Sequence, residues 1–572
     1  MGFIRCLDWT TLVVTAVSYF LSKMPSAATT APVTSQPTKS SSPKTPWKTL
    51  ALLFVAVSCC KILLFPSYRS TDFDVHRNWL AITRHLPVKE WYYDDVNGTT
   101  VHTLDYPPSF AAFEYVLANN VITNYIVNFG WLDERCLALL PDVDNTPSPA
   151  CVMFHRSTVV LSDIILWWGA WIASQAASFG ADQTSIPINF LLIVLHPGLL
   201  WLDHIHFQYN GMLFGLLLAS LGYLMHANNT VKATNDDKSK QKAQSFHTHH
   251  WKAAVIFAFL LTMKHLFLTL APFYFVYLLR RYCLVPNDNN QLRVQPLHLI
   301  TLGMYTTTTL FLPFLPFLKQ LPQLAIRLFP FGRGLVHDYW AANVWALYSF
   351  ADKLLGMLLA EASLPGVSAG MCALLTLIAN VPGLYFTWKA AAEQDNRRLI
   401  LSVVYAALSS FQLGFHVHEK AILNAIIPMT LLMTMPTISK RLNDSTMATA
   451  LTTKILFLEM TACGLVGIFP LLFQVVELPV KLFSFTAYIA FCYHVVIEGR
   501  QAGNTIVQLD KHHKSELAFT TAMIFCIIVL FEFVPTKFFG RLEFLPLLAT
   551  SVSCAAGLII CWVRLLLALG GQ

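Results

Sequence analysis

Asp72 and Asp74 stand two positions apart in a stretch that is polar, charged and aromatic at once, Thr71-Asp72-Phe73-Asp74-Val75-His76-Arg77-Asn78-Trp79. Further along the chain, five more groups carry the side-chain types of acid–base and phosphate chemistry. They are Asp105 in Thr103-Leu104-Asp105-Tyr106-Pro107-Pro108; His204 and His206 with Gln208 and Asn210; Lys264 with His265; Arg327 and Arg333 with His337 and Asp338; and His416-Val417-His418-Glu419-Lys420. Carboxylates set among arginine, lysine and histidine suit transfer of a group from a phosphate-bearing lipid. The cations bind the departing phosphate, and a carboxylate takes the proton of the attacking hydroxyl. No P-loop, dinucleotide-binding glycine pattern or nucleophile elbow accompanies them.

Each group also has a plainer reading. The two aspartates could cap a helix. Asp105 could sit in a turn before its prolines. The arginine loop could rest on lipid headgroups, and His416 to Lys420 could close an interfacial helix. The two His-x-His pairs are of metal-binding type, but helical side chains at spacing two point apart, so no metal is expected. Taken together, six such groups in an apolar chain are hard to explain by solvation alone.

The elements that must position these residues can also be read. Thr71 and Asp74 have capping-box spacing, with Thr71 as N-cap. Val75, Trp79, Ile82 and Leu86 recur on one helical face, leaving His76, Arg77, Asn78, Thr83 and Arg84 off it. The pattern predicts an amphipathic helix along a membrane surface, with carboxylates at its positive end.

The rest of the chain is mostly lipid-like. Its 572 residues are 55% hydrophobic and 12% charged, with mean hydropathy +0.53; soluble proteins carry roughly 25% charged residues. Apolar runs of about 18 residues or more recur, so the chain reads as an all-α polytopic membrane protein. The net charge of +7 fits basic residues in short cytosolic loops and implies no nucleic-acid partner.

Residues 1–46 form an N-terminal extension that reads as disordered or signal-like. Trp47 to Phe65 is the first span, followed by a long polar loop over 66–150. A first module covers 47–365, and helices over 366–572 complete the site. Arg156 and Asp163 fall inside the second span, where charge is unusual. Cys136 and Cys151 bracket a polar stretch and are either a lumenal pair or two free thiols. Placing the basic loops in the cytosol puts the six polar groups on the opposite side. Residues 252–280 then look too short for two crossings, and a broken or re-entrant helix is expected there.

With the motifs in order, a resemblance emerges. Ser70 to Trp79, Thr103 to Pro108, His206-Phe207-Gln208-Tyr209-Asn210-Gly211, Arg327 to Leu335 and His416 to Lys420 resemble the dolichyl-phosphate-glucose-dependent glucosyltransferases of the endoplasmic reticulum. The likeness covers about residues 47–568. Of two sister branches, adding the first and the second glucose to the lipid-linked oligosaccharide, the second is the more similar. The residues that say so are Asp72 to Thr83, Glu90-Trp91-Tyr92-Tyr93 and Pro108 to Glu114.

The resemblance implies a GT-C fold, a lumenal active site in the endoplasmic-reticulum membrane and an inverting reaction without a cofactor. The implied donor is dolichyl-phosphate glucose, and the acceptor is a dolichyl-diphosphate-linked oligosaccharide. By position Asp72 matches the catalytic carboxylate. Asp105 is then a second acid that orients the acceptor or supports the site, and His418, with Lys264, Arg327 or Arg333, holds the donor phosphate. Asp74, Arg77, His206, Gln208, Asn210, His337, Asp338, His416, Glu419 and Lys420 complete the expected substrate-binding set. The rival class is a polyprenyl-lipid or solute transporter. It is disfavoured by the large polar loop and by the lack of a repeated half.

Overall fold

The computed structural model describes residues 47–571 apart from 94–101, 140–145, 180–185, 233–238, 288, 330, 331, 333, 338, 360–361, 436–443, 499–510 and 535–543. Within them the chain is helical, save for one short antiparallel pair, Leu284–Pro286 with Leu292–Val294, in which Val285 lies opposite Arg293. Among the described residues, eight helices are long and apolar enough to cross a membrane, including Pro149–Ala177, Ala369–Glu393 and Leu545–Gly570. The protein is a multi-pass membrane protein.

The first helix, Trp47–Ile62, continues into a turn that ends at Ser67. The polar loop folds into Thr71–His85, Pro108–Leu117 and Asn120–Asn128 with short helical turns between them. A disulfide between Cys136 and Cys151 ties the end of this loop to the start of Pro149–Ala177. The pairing left open by the sequence is therefore made.

Helix Pro149–Ala177 packs closely on Asn210–Lys232. A Cβ on Gly169 would lie 1.8 Å from the carbonyl oxygen of Gly215, so only glycine lets these backbones approach so far. That contact fixes the height of Asn210, which opens the second helix. The charges expected to be awkward in the first of the two are satisfied. Asp163 accepts from Lys61 Nζ at 2.6 Å and lies 3.1 Å from His204 Nε2. Arg156 donates to the carbonyls of Tyr68 at 2.8 Å and Ile205 at 3.1 Å, and to that of His204. Buried charge persists in such surroundings when it is paired.

The stretch expected to be too short for two crossings is long enough. Its outward leg begins well before residue 252, as the 25-residue helix Ser239–Met263, about 37 Å long. At Lys264 the backbone turns extended, and a 3-10 turn, His265–Leu270, leads into Ala271–Leu278 and Leu279–Cys283. The steeper rise of the 3-10 turn helps this leg cover about 30 Å. Lys264 reaches Asn210 at one end, while Arg281 and Tyr282 meet Asn228 and His247 at the other. The helix is broken at Lys264, and the leg after it runs the length of Asn210–Lys232 from Asn210 to Asn228.

The Thr71–His85 helix also differs from its sequence pattern. His76, Arg77, Asn78 and Thr83, off the apolar stripe, are buried along with Phe73, Trp79 and Ile82. His76 Nδ1 lies 2.8 Å from Glu114 Oε1, and Asn78 donates to the carbonyl of His102 at 2.8 Å. The loop wraps this helix on its polar face too, so it is an internal strut and not a helix lying free on the surface. Beneath it Phe73, Phe110, Phe207 and Tyr209 form an aromatic floor.

Candidate active site

Residue types at the start of Thr71–His85 predict a capping box, and the structure does not make one. The N-cap is Ser70, not Thr71, and no side chain caps the helix. The Ser70 hydroxyl donates instead to the carbonyl of His206. Asp74 does not reach back to the backbone; its Oδ1 lies 3.3 Å from Nη2 of the buried Arg77. Arg77 thus faces Asp74, one turn along its own helix. A nearby buried cation is the stronger attraction for this carboxylate.

Asp72 is left for the cluster. Its Oδ2 accepts from Gln208 Nε2 at 2.6 Å and from Lys420 Nζ at 2.7 Å, and lies 3.2 Å from His206 Nε2. All three meet the same oxygen, while the side chain keeps 29% exposure. Burial would raise the Asp72 carboxyl, but Lys420 and the His206 hydrogen bond outweigh it and hold it well below the ordinary carboxylate range.

The residues that ligate Asp72 come from two breaks in otherwise helical segments. The first is Asp203 to Asn210. After the π-turn Leu200–Phe207, Phe207 takes a φ of 85° and Gln208 is extended. A phenylalanine at positive φ is rare and persists where its surroundings hold it. Here its ring is buried against Phe73, His76, His155 and Tyr209. The kink turns His206 and Gln208 to one carboxylate, while His204 faces Asp163. Asp203 then accepts from the backbone of Asn210 at 3.1 Å and Gly211 at 2.6 Å, capping the next helix from outside. Asn210 Nδ2 donates to Gln208 Oε1 at 2.7 Å, and Lys264 Nζ donates to Asn210 Oδ1 at 3.2 Å. A chain of hydrogen bonds therefore runs from Lys264 to Asp72.

The second break follows Asn396–Leu413. His416 is left-handed, with φ 53°, and its Nδ1 lies 2.7 Å from the carbonyl oxygen of Gly334. The His337 ring centre is 4.2 Å from that of His418 and 5.5 Å from that of His416. Ligand nitrogens of these three histidines lie within 4.8 Å of one another, with no carboxylate among them. Burial, with Lys420, His337 and His416 adding to it, keeps His418 well below its ordinary value. It is a neutral donor at neutral pH. Burial also pushes the Glu419 carboxyl up.

Asp105 enters from the loop side. Burial, then the charge of Asp105, pushes the phenols of Tyr92 and Tyr106 up. Lys264 Nζ lies 5.0 Å from the centre of the Tyr106 ring, joining Asp105 to the rest. Arg327 donates to the Thr103 hydroxyl at 3.3 Å and to the Tyr92 carbonyl at 3.4 Å, so it braces the same loop. Arg333 and Asp338 lie outside the described residues.

The structure thus joins Asp72, His206, Gln208, Asn210, Lys264 and Lys420 directly, with Asp105 and His418 at the edge. Sequence reading missed Tyr68, whose Oη lies 2.7 Å from His206 Nδ1. A single tyrosine in a turn gives no signal. It also left Asp163 and Arg156 as oddities, although charge inside a span was the sign that they do something.

Comparison with known proteins shows the family of the chain. Residues 57–565 match the ALG6, ALG8 glycosyltransferase family. A Bos taurus protein named dolichyl pyrophosphate Glc1Man9GlcNAc2 alpha-1,3-glucosyltransferase is 35% identical over 555 residues, covering 90% of this chain and 94% of its own. Proteins of the same name from Mus musculus and Gibberella zeae are each 36% identical, over 90% of this chain and 94% and 97% of theirs. A membrane bundle of helices with an acid–cation cluster at one end, matched over nearly its whole length, belongs to the ALG6, ALG8 glycosyltransferase family of GT-C membrane enzymes.

Proposed function

We propose that this chain transfers glucose from dolichyl-phosphate glucose to the monoglucosylated, nine-mannose dolichyl-diphosphate oligosaccharide, with inversion and an α-1,3 linkage. The site faces the lumen of the endoplasmic reticulum; a disulfide in the loop that builds it supports an oxidising compartment. The relatives' names supply the acceptor and linkage.

The observation that carries the reading is the one-sided ligation of Asp72. Oδ2 takes all three donors, which leaves Oδ1 for the acceptor hydroxyl. The acceptor oxygen forms a bond to C1 of the donor glucose on the face opposite the phosphate. The C1–O bond breaks with its electron pair going to the phosphate, and the hydroxyl proton passes to Asp72. One displacement needs one base and a stabilised leaving group. Lys420 stays paired with that carboxylate, while Lys264, beside Tyr106, and His418, beside His337, provide the cation and donor for the phosphate. An ionised, weakly basic carboxylate suits a proton transfer that lags behind cleavage of the sugar–phosphate bond.

The test is single-step transfer by purified protein with defined donor and acceptor. Wild type should convert the monoglucosylated acceptor to the diglucosylated one and leave an unglucosylated acceptor unchanged. Asp72→Asn should still bind donor while turnover falls by roughly two to four orders of magnitude, the range for losing a general base. An active Asp72→Asn enzyme would remove Asp72 from that role.

A further inference from the structure

We infer that Tyr68 is a positioning residue that acts on the base through His206, fixing which ring nitrogen carries the proton that faces Asp72. The inference rests on Asp72 being the base. Two contacts on opposite sides of one ring carry it: Tyr68 Oη is 2.7 Å from His206 Nδ1, and His206 Nε2 is 3.2 Å from Asp72 Oδ2.

An imidazole presents one N–H when neutral, and the hydrogen bond at one nitrogen decides which. To donate to the Asp72 carboxylate, neutral His206 must carry its proton on Nε2 and accept at Nδ1. Tyr68 is the hydroxyl within reach of Nδ1, and the inference assigns it the donor role there. Burial, then the charges of Glu477 and Asp72, pushes its phenol above the ordinary value, so the O–H stays on at every working pH. The Leu471 carbonyl is a second acceptor for the same proton. If the proton went there, His206 Nδ1–H would turn toward the phenol, and a neutral ring would aim a lone pair at a carboxylate. The tautomer that Asp72 requires is therefore held when the Tyr68 proton turns to Nδ1 and not to the Leu471 carbonyl.

The scaffold holds the tyrosine to this task. The Tyr68 backbone N–H donates to Glu477 Oε1 at 3.0 Å, and its carbonyl accepts from Arg156 at 2.8 Å. Arg156 binds the carbonyls of His204 and Ile205 with the same guanidinium, so one buried side chain sets the distance between the tyrosine turn and the histidine turn.

Other charges around this line are fixed in every variant below. Lys420 and His418 face Asp72 from the second break, Lys264 from the end of Ser239–Met263, and His102 and Tyr106 from the loop. Glu477, Arg156 and Tyr339 face Tyr68, and Arg69 stands beside Arg156. A change in pH dependence on removing one phenolic oxygen therefore reports the tautomer of His206.

The experiment is the pH dependence of kcat/KM for Tyr68→Phe, Asp72→Asn and wild type, with thermal unfolding alongside. Without the phenol, His206 ceases to hold its proton toward Asp72, and the carboxylate loses a donor. The acid limb should move to higher pH, and kcat should fall roughly two- to tenfold, the cost of one hydrogen bond, with KM for both substrates unchanged. A 3-fluorotyrosine at position 68 keeps the shape should Tyr68→Phe not fold; its stronger O–H donor should move the limb the other way. Profiles that superimpose on wild type for these replacements, while Asp72→Asn is inactive, overturn the role of Tyr68 alone. An active Asp72→Asn overturns the base, and the relay with it.

Discussion

Lys420 and Asp72, 348 positions apart in the chain, meet with Nζ 2.7 Å from Oδ2. The pair closes the site, because it joins the loop after the first helix to a break far along the bundle. It also sets the pH at which the proposed base is ionised. Asp72 is lowered in the folded protein despite its burial, so it is ionised above that depressed value and protonates only as the pH falls through it. The stability contributed by the pair has the same sign. It is fully present above the ordinary carboxylate value and lost as the pH falls through the lowered one.

Lys420→Met should therefore shift the acid limb of kcat/KM to higher pH. Lys420→Arg should keep it close to wild type. A limb that does not move in Lys420→Met would mean that another group sets it.

The Asp74 carboxylate is not a cap, and its loss has a different cost from that of a cap. Asp74→Asn leaves the buried Arg77 without its counter-charge. Because Asp74 is itself about 30% exposed, the cost should be about 1–2 kcal/mol, below that of breaking a fully buried pair. Turnover at permissive temperature should stay within a few-fold of wild type. A well-folded but inactive Asp74→Asn would exchange the roles of the two aspartates.

The histidines His337, His416 and His418 are close enough to raise the question of a metal. In the proposed mechanism lysine and neutral histidine donors serve the phosphate, so transfer should survive EDTA. Activity abolished by chelator and restored by manganese or zinc would show that the triad holds a cation.

Cys136 and Cys151 close a loop with a sequence separation of 15. By loop-closure entropy the bond should contribute about 3 kcal/mol. Replacing both with serine should lower the unfolding temperature of the purified protein, and reductant should do the same to wild type but not to the double variant. Equal melting with and without reductant in wild type would mean that the bond adds no stability.

The sequence alone determined the membrane class and the polar interruptions at 204–211, 264–265 and 416–420. Apolar length is a local property, and bilayer thickness turns it directly into helices. The motifs at Asp72, Gln208, Lys264 and Lys420 were legible for the same reason: charge and amide groups have no place in lipid unless they meet something. Tertiary structure decided which partner each one meets. Capping-box spacing at Thr71 and Asp74 is a local preference, and it yielded to the buried cation of Arg77 and to the carbonyl that draws the Ser70 hydroxyl. The adjacent polar pair His204 and His206 was split between Asp163 and Asp72 by the backbone of Phe207, which takes a φ that its residue type disfavours. Tyr68 became a partner of His206 only because Arg156 binds both turns. Hydrogen bonds between residues far apart in the chain depend on how helices pack, and periodicity along one helix carries no record of them.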